Sequence, residues 1–343
     1  MPSEPSSVAV VTGAGGWLGQ NLVRALAGER ERVRCLVRHP GEAPLLELVH
    51  PSVEAVVGDV RDPAVLEDLF VGAGRATVFH GAGVIHPESS TREFFDVNVG
   101  GTQMVLDAAR RARAGRFVHV SSNSPFGANA RPTDRFTEAS APNPYLGYGR
   151  SKLEAEDLVG VTQERGDLET VILRPPWFYG PFQPERQAKF FTALRKGRFP
   201  LVGDGTQQRS MCFTGNLVQG CLRAEVSDAA VGEAYWIADT EPYELRRIFA
   251  GVREALVAEG YEISERSSVP LPRSLAGVAA KADEVLQGLD RYVQPLHVLG
   301  ELRDTIACDI SKARAELRYD PEVSLVEGMR ASIRWCEERG IAL

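Results

Sequence analysis

The chain has 343 residues, a length that predicts about two domains. Hydrophobic residues make up 43% of it and charged residues 25%, which is typical of globular proteins and excludes disordered, fibrous and collagen-like chains. Its 39 Lys and Arg residues stand against 46 Asp and Glu residues, a net charge of -7 that disfavours nucleic acid and anionic membranes as partners.

The five cysteines indicate a reducing compartment. They are far apart and odd in number, and they include no C-x-x-C pair, so the sequence predicts neither a disulfide framework nor a metal site. The first residues lack the basic start and apolar run of a secretion signal, and no stretch approaches the ~18 apolar residues that span a bilayer. We therefore expect a cytoplasmic protein without a membrane span.

Short β-branched runs alternate with segments of helical periodicity in the first half of the chain. The strand candidates are residues 8–11, 33–37, 53–57, 77–79, 117–120 and 170–173. Runs that are apolar on both faces are expected where helices cover both sides of a parallel sheet. Because crossover connections are right-handed, the sequence predicts an α/β fold with a doubly wound parallel sheet of the Rossmann type.

The pattern changes after residue 174. Five prolines interrupt it between residues 175 and 200, and one further strand-like run, residues 234–237, precedes a more helical C-terminal third. We expect a dinucleotide-binding domain at residues 1–176, with a returning segment near 211–240. The remaining segments of residues 177–343 are expected to form a smaller, mostly helical substrate-binding domain.

Two helices are predicted in this C-terminal part. One runs through residues 271–286, where it either packs on its own domain or forms a lid over an apolar substrate. Its apolar stripe comprises Leu275, Val278, Ala279, Ala282 and Leu286. The other begins at Ser324, which stands at capping-box spacing from Glu327, and Gly340 lies where its C-terminal cap is expected.

Directly after the first predicted strand, glycines occur at the spacing Gly-x-x-Gly-x-x-Gly, at Gly13, Gly16 and Gly19. A side chain at Gly13 or Gly16 would obstruct a tight turn or the approach of a pyrophosphate, and Gly19 lets the following helix press on the strand. The helix N-terminus adds amide donors and the positive end of the helix dipole. A strand before the turn and a helix after it predict a dinucleotide site.

The second predicted strand ends at Arg38, 19 residues after Gly19. An acid at this place would bind the ribose hydroxyls of NAD, whereas an arginine favours the 2′-phosphate of NADP. The sequence therefore predicts NADP, with NAD as the alternative if Arg38 is simply solvated.

Short polar or glycine-containing segments follow the next two predicted strands. Asp59 and Val60 follow the third strand, and Gly81, Ala82 and Gly83 follow the fourth. Open α/β sheets bind ligands at the C-terminal ends of their strands. We expect both segments to border the adenosine half of the dinucleotide.

Tyr148 and Lys152 are four residues apart in a segment after the fifth predicted strand. On a helix this spacing places both side chains on one face, so the ammonium would favour the ionised phenol and lower its pKa from about 10. A phenol tuned in this way is a usable general acid or base. Two unrelated surface residues are the alternative for such a pair.

These motifs together resemble the extended short-chain dehydrogenase/reductase family, also described as the NAD-dependent epimerase/dehydratase superfamily. The similar segments are the glycine motif at residues 12–19, a serine motif at 121–127, the Tyr148–Lys152 pair, a nicotinamide-side loop at 174–181, and C-terminal segments at 309–313 and 317–321. The resemblance therefore covers nearly the whole chain. It is strongest to the branch that contains 3β-hydroxysteroid dehydrogenases and dihydroflavonol reductase.

The resemblance implies a role for each catalytic candidate. Tyr148 is the acid/base, Lys152 its electrostatic partner and a ribose ligand, and Ser122 polarises the substrate oxygen. Asn98 supports the site from the central helix, or alternatively its amide kinks a buried helix. The full set of candidate cofactor contacts is Gly13, Gly16, Trp17, Leu18, Gly19, Arg38, Asp59, Val60, Gly81, Ala82, Gly83, Asn98, Tyr148, Lys152 and Pro175.

The candidate substrate contacts are Ser122, Asn123, Ser124, Trp177 and Arg209. Dehydratases of the family carry Asp-Glu where this chain has Asn123-Ser124, so dehydration is disfavoured. Sugar-nucleotide enzymes usually have an Asn where Trp177 stands, and an indole cannot replace an amide at a diphosphate. Arg209 could bind a diphosphate, or could equally form an ion pair at a domain junction.

We therefore expect an NAD(P)-dependent alcohol dehydrogenase or ketone reductase that acts on a moderately large, partly apolar secondary alcohol or ketone of a steroid-, flavonoid- or polyketide-like kind. A nucleotide-sugar 4-epimerase is the alternative, and a dinucleotide sensor without catalysis is the third hypothesis. In the family, the helices beginning near Asn98 and Tyr148 commonly form the four-helix bundle of a dimer, so a homodimer is expected.

Overall fold

A computed structural model of the chain describes residues 4–88 and 90–343. Its strands are β1 (Val8–Thr12), β2 (Arg32–Val37), β3 (Val53–Val57), β4 (Thr77–His80), β5 (Arg116–Val120), β6 (Glu169–Arg174), β7 (Trp177–Tyr179), β8 (Pro200–Val202), β9 (Gln208–Arg209), β10 (Met211–Phe213), β11 (Ala234–Trp236), β12 (Tyr243–Glu244) and β13 (Val269–Leu271). Among the described residues, seven of these strands form one parallel sheet in the order β11-β6-β5-β4-β1-β2-β3. The predicted doubly wound α/β fold is confirmed.

Helices flank and follow this sheet. They are α1 (Trp17–Leu26), α2 (Ala43–Glu47), α3 (Pro63–Leu69), α4 (Arg92–Phe95), α5 (Thr102–Arg111), α6 (Leu146–Arg165), α7 (Glu185–Arg195), α8 (Thr214–Val226), α9 (Leu245–Ala258), α10 (Arg273–Gly288), α11 (Gln294–Glu301), α12 (Ser311–Leu317) and α13 (Leu325–Glu338). A π-helical segment, Asp96–Gly101, connects α4 to α5. No helix in the described part of the chain has both the length and the apolar composition needed to cross a bilayer.

The central strand β1 shows why its residues are apolar on both faces. Ala9 and Val11 point into a core shared with α1 and α8, whereas Val10 points into a second core shared with α3, α5 and α6. Successive side chains of a strand alternate between the two faces of a sheet, so both faces of β1 are covered by helices. Because the strands of the sheet are parallel, their C-terminal ends lie at one common edge.

A separate core lies beyond the sheet in the C-terminal part of the chain. It is formed by α7, α9 and α13 with the short strands β7, β8 and β10. The strand β11 lies inside the predicted returning segment and extends the large sheet by pairing with β6. The division into domains at residue 176 remains a prediction.

The burial of α10 differs from the predicted apolar stripe. Leu275 and Val278 are 52% and 66% exposed, and the buried positions are Ala276, Ala279 and Asp283. The inner face of α10 carries small residues because α11 packs closely against it, so that a Cβ at Gly300 would lie 3.0 Å from the Cα of Ala280. The predicted stripe is therefore wrong at Leu275 and Val278.

The C-terminal helix α13 follows its sequence signals. The Ser324 side chain accepts a hydrogen bond from the Glu327 amide, and the Glu327 carboxylate accepts one from the Ser324 amide. Gly340 has φ +68°, the left-handed conformation typical of the residue after a helix. The predicted capping box is confirmed.

Candidate active site

The glycine turn joins β1 to α1 at the C-terminal edge of the sheet. Gly13 has φ +70°, and a Cβ there would lie 2.8 Å from the Gly81 carbonyl. The Gly16 amide donates to the Gly13 carbonyl at 3.0 Å, and a Cβ at Gly19 would lie 2.1 Å from that same oxygen. Trp17 and Leu18 form the first turn of α1, where helix amides lack intrahelical acceptors. The turn therefore excludes side chains at these glycines and presents amide donors at its helix end.

The ends of β2 and β3 carry charged groups beside this turn. Arg38 is exposed directly after β2, and Asp59 follows β3 next to the buried Val60. Asp59 accepts two hydrogen bonds from the Arg61 side chain, at 2.8 and 2.7 Å. Hydrogen bonding to Arg61, with a smaller contribution from Arg38, lowers the pKa of Asp59 to about 2. Asp59 is therefore charged at neutral pH.

Asn98 connects the loop after β4 to the helix that carries Tyr148. Its carboxamide accepts from the Val84 amide at 2.7 Å and donates to the Val84 carbonyl at 3.0 Å. The same Nδ2 group donates to Ser151 Oγ at 3.0 Å. A Cβ at Gly83 would lie 3.0 Å from the Asn98 side-chain oxygen. Asn98 is buried in the π-helical segment, so it acts as a positioning group whose contact with a cofactor remains a prediction.

A buried histidine links the glycine turn to the same central helix. His80 Nδ1 lies 2.7 Å from Thr12 Oγ1, and its Nε2 lies 2.9 Å from Thr102 Oγ1. The Thr102 hydroxyl in turn donates to the Asn98 carbonyl at 2.6 Å. Burial lowers the pKa of His80 to about 3, so its ring is neutral. Sequence analysis missed this network because its members lie on three different elements.

The three catalytic candidates come together beyond the ends of β5 and β6. Tyr148 lies in the first turn of α6 and Lys152 one turn later, as their spacing predicts. A hydrogen bond from Ser122 acts on the Tyr148 phenol. The Ser122 hydroxyl also accepts from the Ser124 amide at 3.2 Å, which fixes its position in the loop after β5.

The pKa of Tyr148 moves in the direction opposite to the one expected. Burial raises it to about 12, and the Glu301 carboxylate also raises it, while the Ser122 hydrogen bond and Arg186 act to lower it. The expectation that Lys152 lowers this pKa is wrong in this structure, because the Lys152 ammonium is directed at β5 and desolvation of the phenolate outweighs the Ser122 hydrogen bond and Arg186. Tyr148 is therefore a protonated phenol at neutral pH.

The Lys152 ammonium is directed at β5. It donates to the Val120 carbonyl at 2.9 Å and lies 3.3 Å from His119 Nε2. Burial lowers the pKa of Lys152 to about 8, and the nearby Glu156 carboxylate acts to raise it. Burial and the Lys152 charge lower the pKa of His119 well below its ordinary range, so the imidazole is neutral and its Nε2 is able to accept.

The neighbouring serine has a different partner. Ser121 Oγ donates to the Glu156 carboxylate at 2.5 Å, and Arg174 forms a buried ion pair with that carboxylate at 2.6 Å. Ser121 therefore belongs to a structural network with Glu156 and Arg174, whereas Ser122 is the serine beside Tyr148. This arrangement supports the choice of Ser122 over Ser121.

A small cavity lies beside Ser124. It is lined by Asn123, Ser124, Gly127, Ala128, Tyr145, Glu301, Asp304 and Ile306. The Tyr145 hydroxyl is buried there without a hydrogen-bond partner. The sequence predicted Asn123 and Ser124 at this site but missed Tyr145 and Glu301, since nothing in the local sequence connects α11 with the loop after β5.

The remaining predicted contacts are Trp177 and Arg209 for the substrate and Pro175 for the cofactor. Trp177 is half-buried, with its ring 5.6 Å from that of Phe190. Arg209 is buried, and its guanidinium donates to the backbone carbonyl of Glu301. Pro175 is buried directly after β6. The Arg209 guanidinium is therefore bound to the C-terminal end of α11 and is not exposed in the cleft.

The hairpin of α10 and α11 is joined to the loop after β4 by side chains. Asp290 accepts from the hydroxyls of Ser90 and Thr91, at 2.7 and 2.6 Å. Tyr292 shares a hydrogen bond of 2.6 Å with His86 Nδ1. These contacts hold the hairpin across the cleft that contains Tyr148.

The arrangement is able to hold a dinucleotide. The glycine turn and the start of α1 offer backbone amides for a pyrophosphate. Arg38 and Asp59 follow β2 and β3, and Tyr148 and Lys152 lie beside the end of β5 at the same sheet edge. Across residues 4–88 and 90–343, no group of three or more His, Cys, Asp or Glu side chains is arranged to hold a metal ion.

Comparison with protein families and curated proteins identifies relatives over the whole chain. The model of the family described as "NAD dependent epimerase/dehydratase family" matches residues 9–238. An uncharacterised protein, y4nL of Sinorhizobium fredii, is 40% identical over 96% of this chain and 95% of its own length. A ketoreductase of Stigmatella aurantiaca, named for 4-hydroxy-2-methyl-3-oxo-4-farnesyl-3,4-dihydroquinoline-1-oxide, is 33% identical over 69% of each chain.

Among solved structures, the dTDP-glucose 4,6-dehydratase DesIV of Streptomyces venezuelae, determined with NAD bound, is similar throughout. It has a TM-score of 0.77 and 25% sequence identity, and the match covers 98% of both chains. The fold of this chain is therefore one on which NAD is bound in a related protein.

Proposed function

Since this chain belongs to the NAD-dependent epimerase/dehydratase family, as its motifs predicted, we propose that it is an NAD(P)-dependent oxidoreductase. In this proposal it interconverts a secondary alcohol and a ketone on a partly apolar substrate. The relative from Stigmatella aurantiaca, a ketoreductase of a farnesyl-bearing compound, supports this reaction and substrate class.

The observation that carries the proposal is the protonated Tyr148 phenol beside Ser122. The bound nicotinamide supplies or accepts the hydride. In ketone reduction, Tyr148 donates its proton to the carbonyl oxygen, and the Ser122 hydroxyl donates a hydrogen bond to the same oxygen. A pKa of about 12 keeps the proton on Tyr148 until the alkoxide forms, so the phenol is ready for the reductive direction. In this proposal Lys152, whose ammonium donates to the Val120 carbonyl at the end of β5, holds the cofactor ribose.

The geometry of Arg209 favours a ketone reductase over a nucleotide-sugar epimerase. The likeness to a dTDP-glucose dehydratase would favour a nucleotide-sugar substrate, and such a substrate needs a cation for its diphosphate. The Arg209 guanidinium, however, is bonded to the Glu301 carbonyl, and the carboxylates of Glu301 and Asp304 act on its pKa from close by. A diphosphate would meet these carboxylates, whereas an apolar ketone would meet Trp177 and Phe190 without an electrostatic penalty.

The test compares the parent protein with Tyr148→Phe. We expect NADH or NADPH consumption with an apolar ketone in the parent, and a decrease of about a thousandfold in the variant with cofactor binding retained. Epimerisation of a UDP-sugar without net cofactor turnover would establish the alternative. A dinucleotide sensor without catalysis would show cofactor binding and no turnover in either protein.

We also propose that the chain forms a homodimer through α5 and α6. In support, Val99 and Met104 border a surface depression on the outer side of these helices, together with Phe95. Light scattering should return about twice the mass of one chain. A mass of one chain would refute the dimer and leave the catalytic proposal intact.

A further inference from the structure

A carboxylate lies against the glycine turn at Gly15. Glu42 ends a short 3₁₀ turn, Pro40–Glu42, shortly after β2. A Cβ at Gly15, between the first two motif glycines, would lie 2.5 Å from Glu42 Oε2. The backbone amide of His39 donates to the same oxygen at 3.2 Å and holds the carboxylate in place. This contact brings an acid to the glycine turn from a position beyond Arg38, the residue at the end of β2 from which the sequence predicted NADP.

The charges at this edge of the sheet balance one another. Arg38 and Arg61 are positive, and Glu42 and Asp59 are negative, with Asp59 bound to Arg61 at 2.7 Å. A 2′-phosphate carries a charge of about −2 and needs a surplus of positive charge. A ribose with free 2′- and 3′-hydroxyls needs an acceptor instead, and the two oxygens of a carboxylate suit this pair of donors.

We propose that Glu42 binds the adenosine ribose hydroxyls of NAD and repels the 2′-phosphate of NADP, so that the site prefers NAD in spite of Arg38. This inference rests on the proposed function, because it assumes that a nicotinamide dinucleotide occupies the glycine turn. It reverses the cofactor preference that Arg38 predicts from the sequence.

The experiment measures binding of NADH and NADPH separately to the full chain, by fluorescence titration without substrate. The variants are Glu42→Gln, which removes the charge and keeps the shape, and Arg38→Gln. Glu47→Gln is the matched control, because Glu47 lies on α2 and accepts from the Ala55 amide at 3.2 Å. Glu42→Ala provides a second test of the same side chain, and thermal unfolding verifies that each variant is folded.

We expect the parent to bind NADH more tightly than NADPH. In Glu42→Gln and Glu42→Ala, the ratio of the NADPH to the NADH dissociation constant should fall about tenfold, through tighter NADPH and weaker NADH binding. Glu47→Gln should keep the parent ratio within about twofold, as is typical of surface substitutions remote from a site. Arg38→Gln should weaken NADPH binding alone.

Three outcomes would overturn the inference. A parent protein that prefers NADPH contradicts it directly, and so does an unchanged ratio in both Glu42 variants. In these two cases the proposed function survives, since a dinucleotide still binds. A parent that binds neither nucleotide overturns both the inference and the proposed function.

Discussion

The glycine turn is built mainly from residues that follow one another closely along the chain, whereas the substrate side joins distant segments. Gly16 and Gly19 lie against the Gly13 carbonyl within the turn, and Gly13 lies against Gly81 in the loop after β4. On the second side, Ser124 and Tyr145 meet Glu301 from the C-terminal hairpin. The comparison shows that the glycine turn is specified mainly by local contacts and the substrate side by tertiary packing. Four substitutions or substitution pairs test this contrast, from the largest effect to the smallest.

The largest effect is expected on the cofactor side, from Gly19→Ala. The new methyl group would lie 2.1 Å from the Gly13 carbonyl oxygen, so either α1 or the turn must shift. We expect a loss of about 3 kcal/mol in the free energy of unfolding, measured by urea denaturation, together with loss of NADH binding. Gly41→Ala is the control, because nothing lies within 4 Å of a Cβ at Gly41. Equal midpoints for the two variants would contradict a locally specified turn.

The second effect separates the adjacent serines. Ser122→Ala should lower kcat/KM for ketone reduction about a hundredfold, because the substrate oxygen loses a donor, with stability unchanged. Ser121→Ala should instead cost about 1–2 kcal/mol of unfolding free energy, since the buried Glu156 carboxylate loses its 2.5 Å donor. A larger activity loss in Ser121→Ala than in Ser122→Ala would contradict the assignment of Ser122 as the catalytic hydroxyl.

The third effect concerns pH. Burial lowers the pKa of Lys152 from 10.5 to about 8, so the ammonium loses its proton as the pH rises through 8. In the proposed function the Lys152 ammonium holds the cofactor ribose, so its deprotonation should lower kcat/KM on the alkaline side with an apparent pKa near 8. Lys152→Arg should keep its charge and lose this decline, although its overall rate is lower. A parent profile that stays flat to pH ~10 would refute the assignment.

The smallest effect tests the orientation of α10 on the substrate side. Leu275 is 52% exposed and Ala276 is buried, although the sequence assigned Leu275 to the packed stripe. Leu275→Ser should change the free energy of unfolding by less than about 0.5 kcal/mol. Ala276→Leu should destabilise by about 1–3 kcal/mol through overpacking. If Leu275→Ser destabilised the protein more than Ala276→Leu, the result would support the apolar stripe predicted from periodicity.

The strands and the glycine turn were predictable because their signals are local. The prediction of residues 53–57 matches β3 to the residue, and the other sheet strands differ by one residue or so at their ends. The spacing of Tyr148 and Lys152 likewise placed both residues on α6. Apolar runs and fixed spacings specify the backbone before any tertiary contact forms.

The electrostatics of the site were not predictable in the same way. The pKa of Tyr148 depends on how deeply α6 is buried and on charges from Glu301 and Arg186, which the local sequence does not contain. Glu42 reaches Gly15 from the 3₁₀ turn after β2, whereas the sequence prediction of the cofactor considered only Arg38 at the end of β2. Periodicity also misread α10, since close contact with α11 selects small residues for its inner face. Burial and long-range charge are properties of the folded molecule.

The hairpin of α10 and α11 gives the substrate side a degree of evolutionary independence. Asp290 and Tyr292 attach it to the loop after β4 by hydrogen bonds, while Ser122, Tyr148 and Lys152 lie at the sheet edge. In the proposed function, exchanging this hairpin between relatives would change the substrate side of the cleft while the sheet edge kept its catalytic candidates. Glu301 on α11 would be exchanged with it, so the pKa of Tyr148 would change together with the substrate.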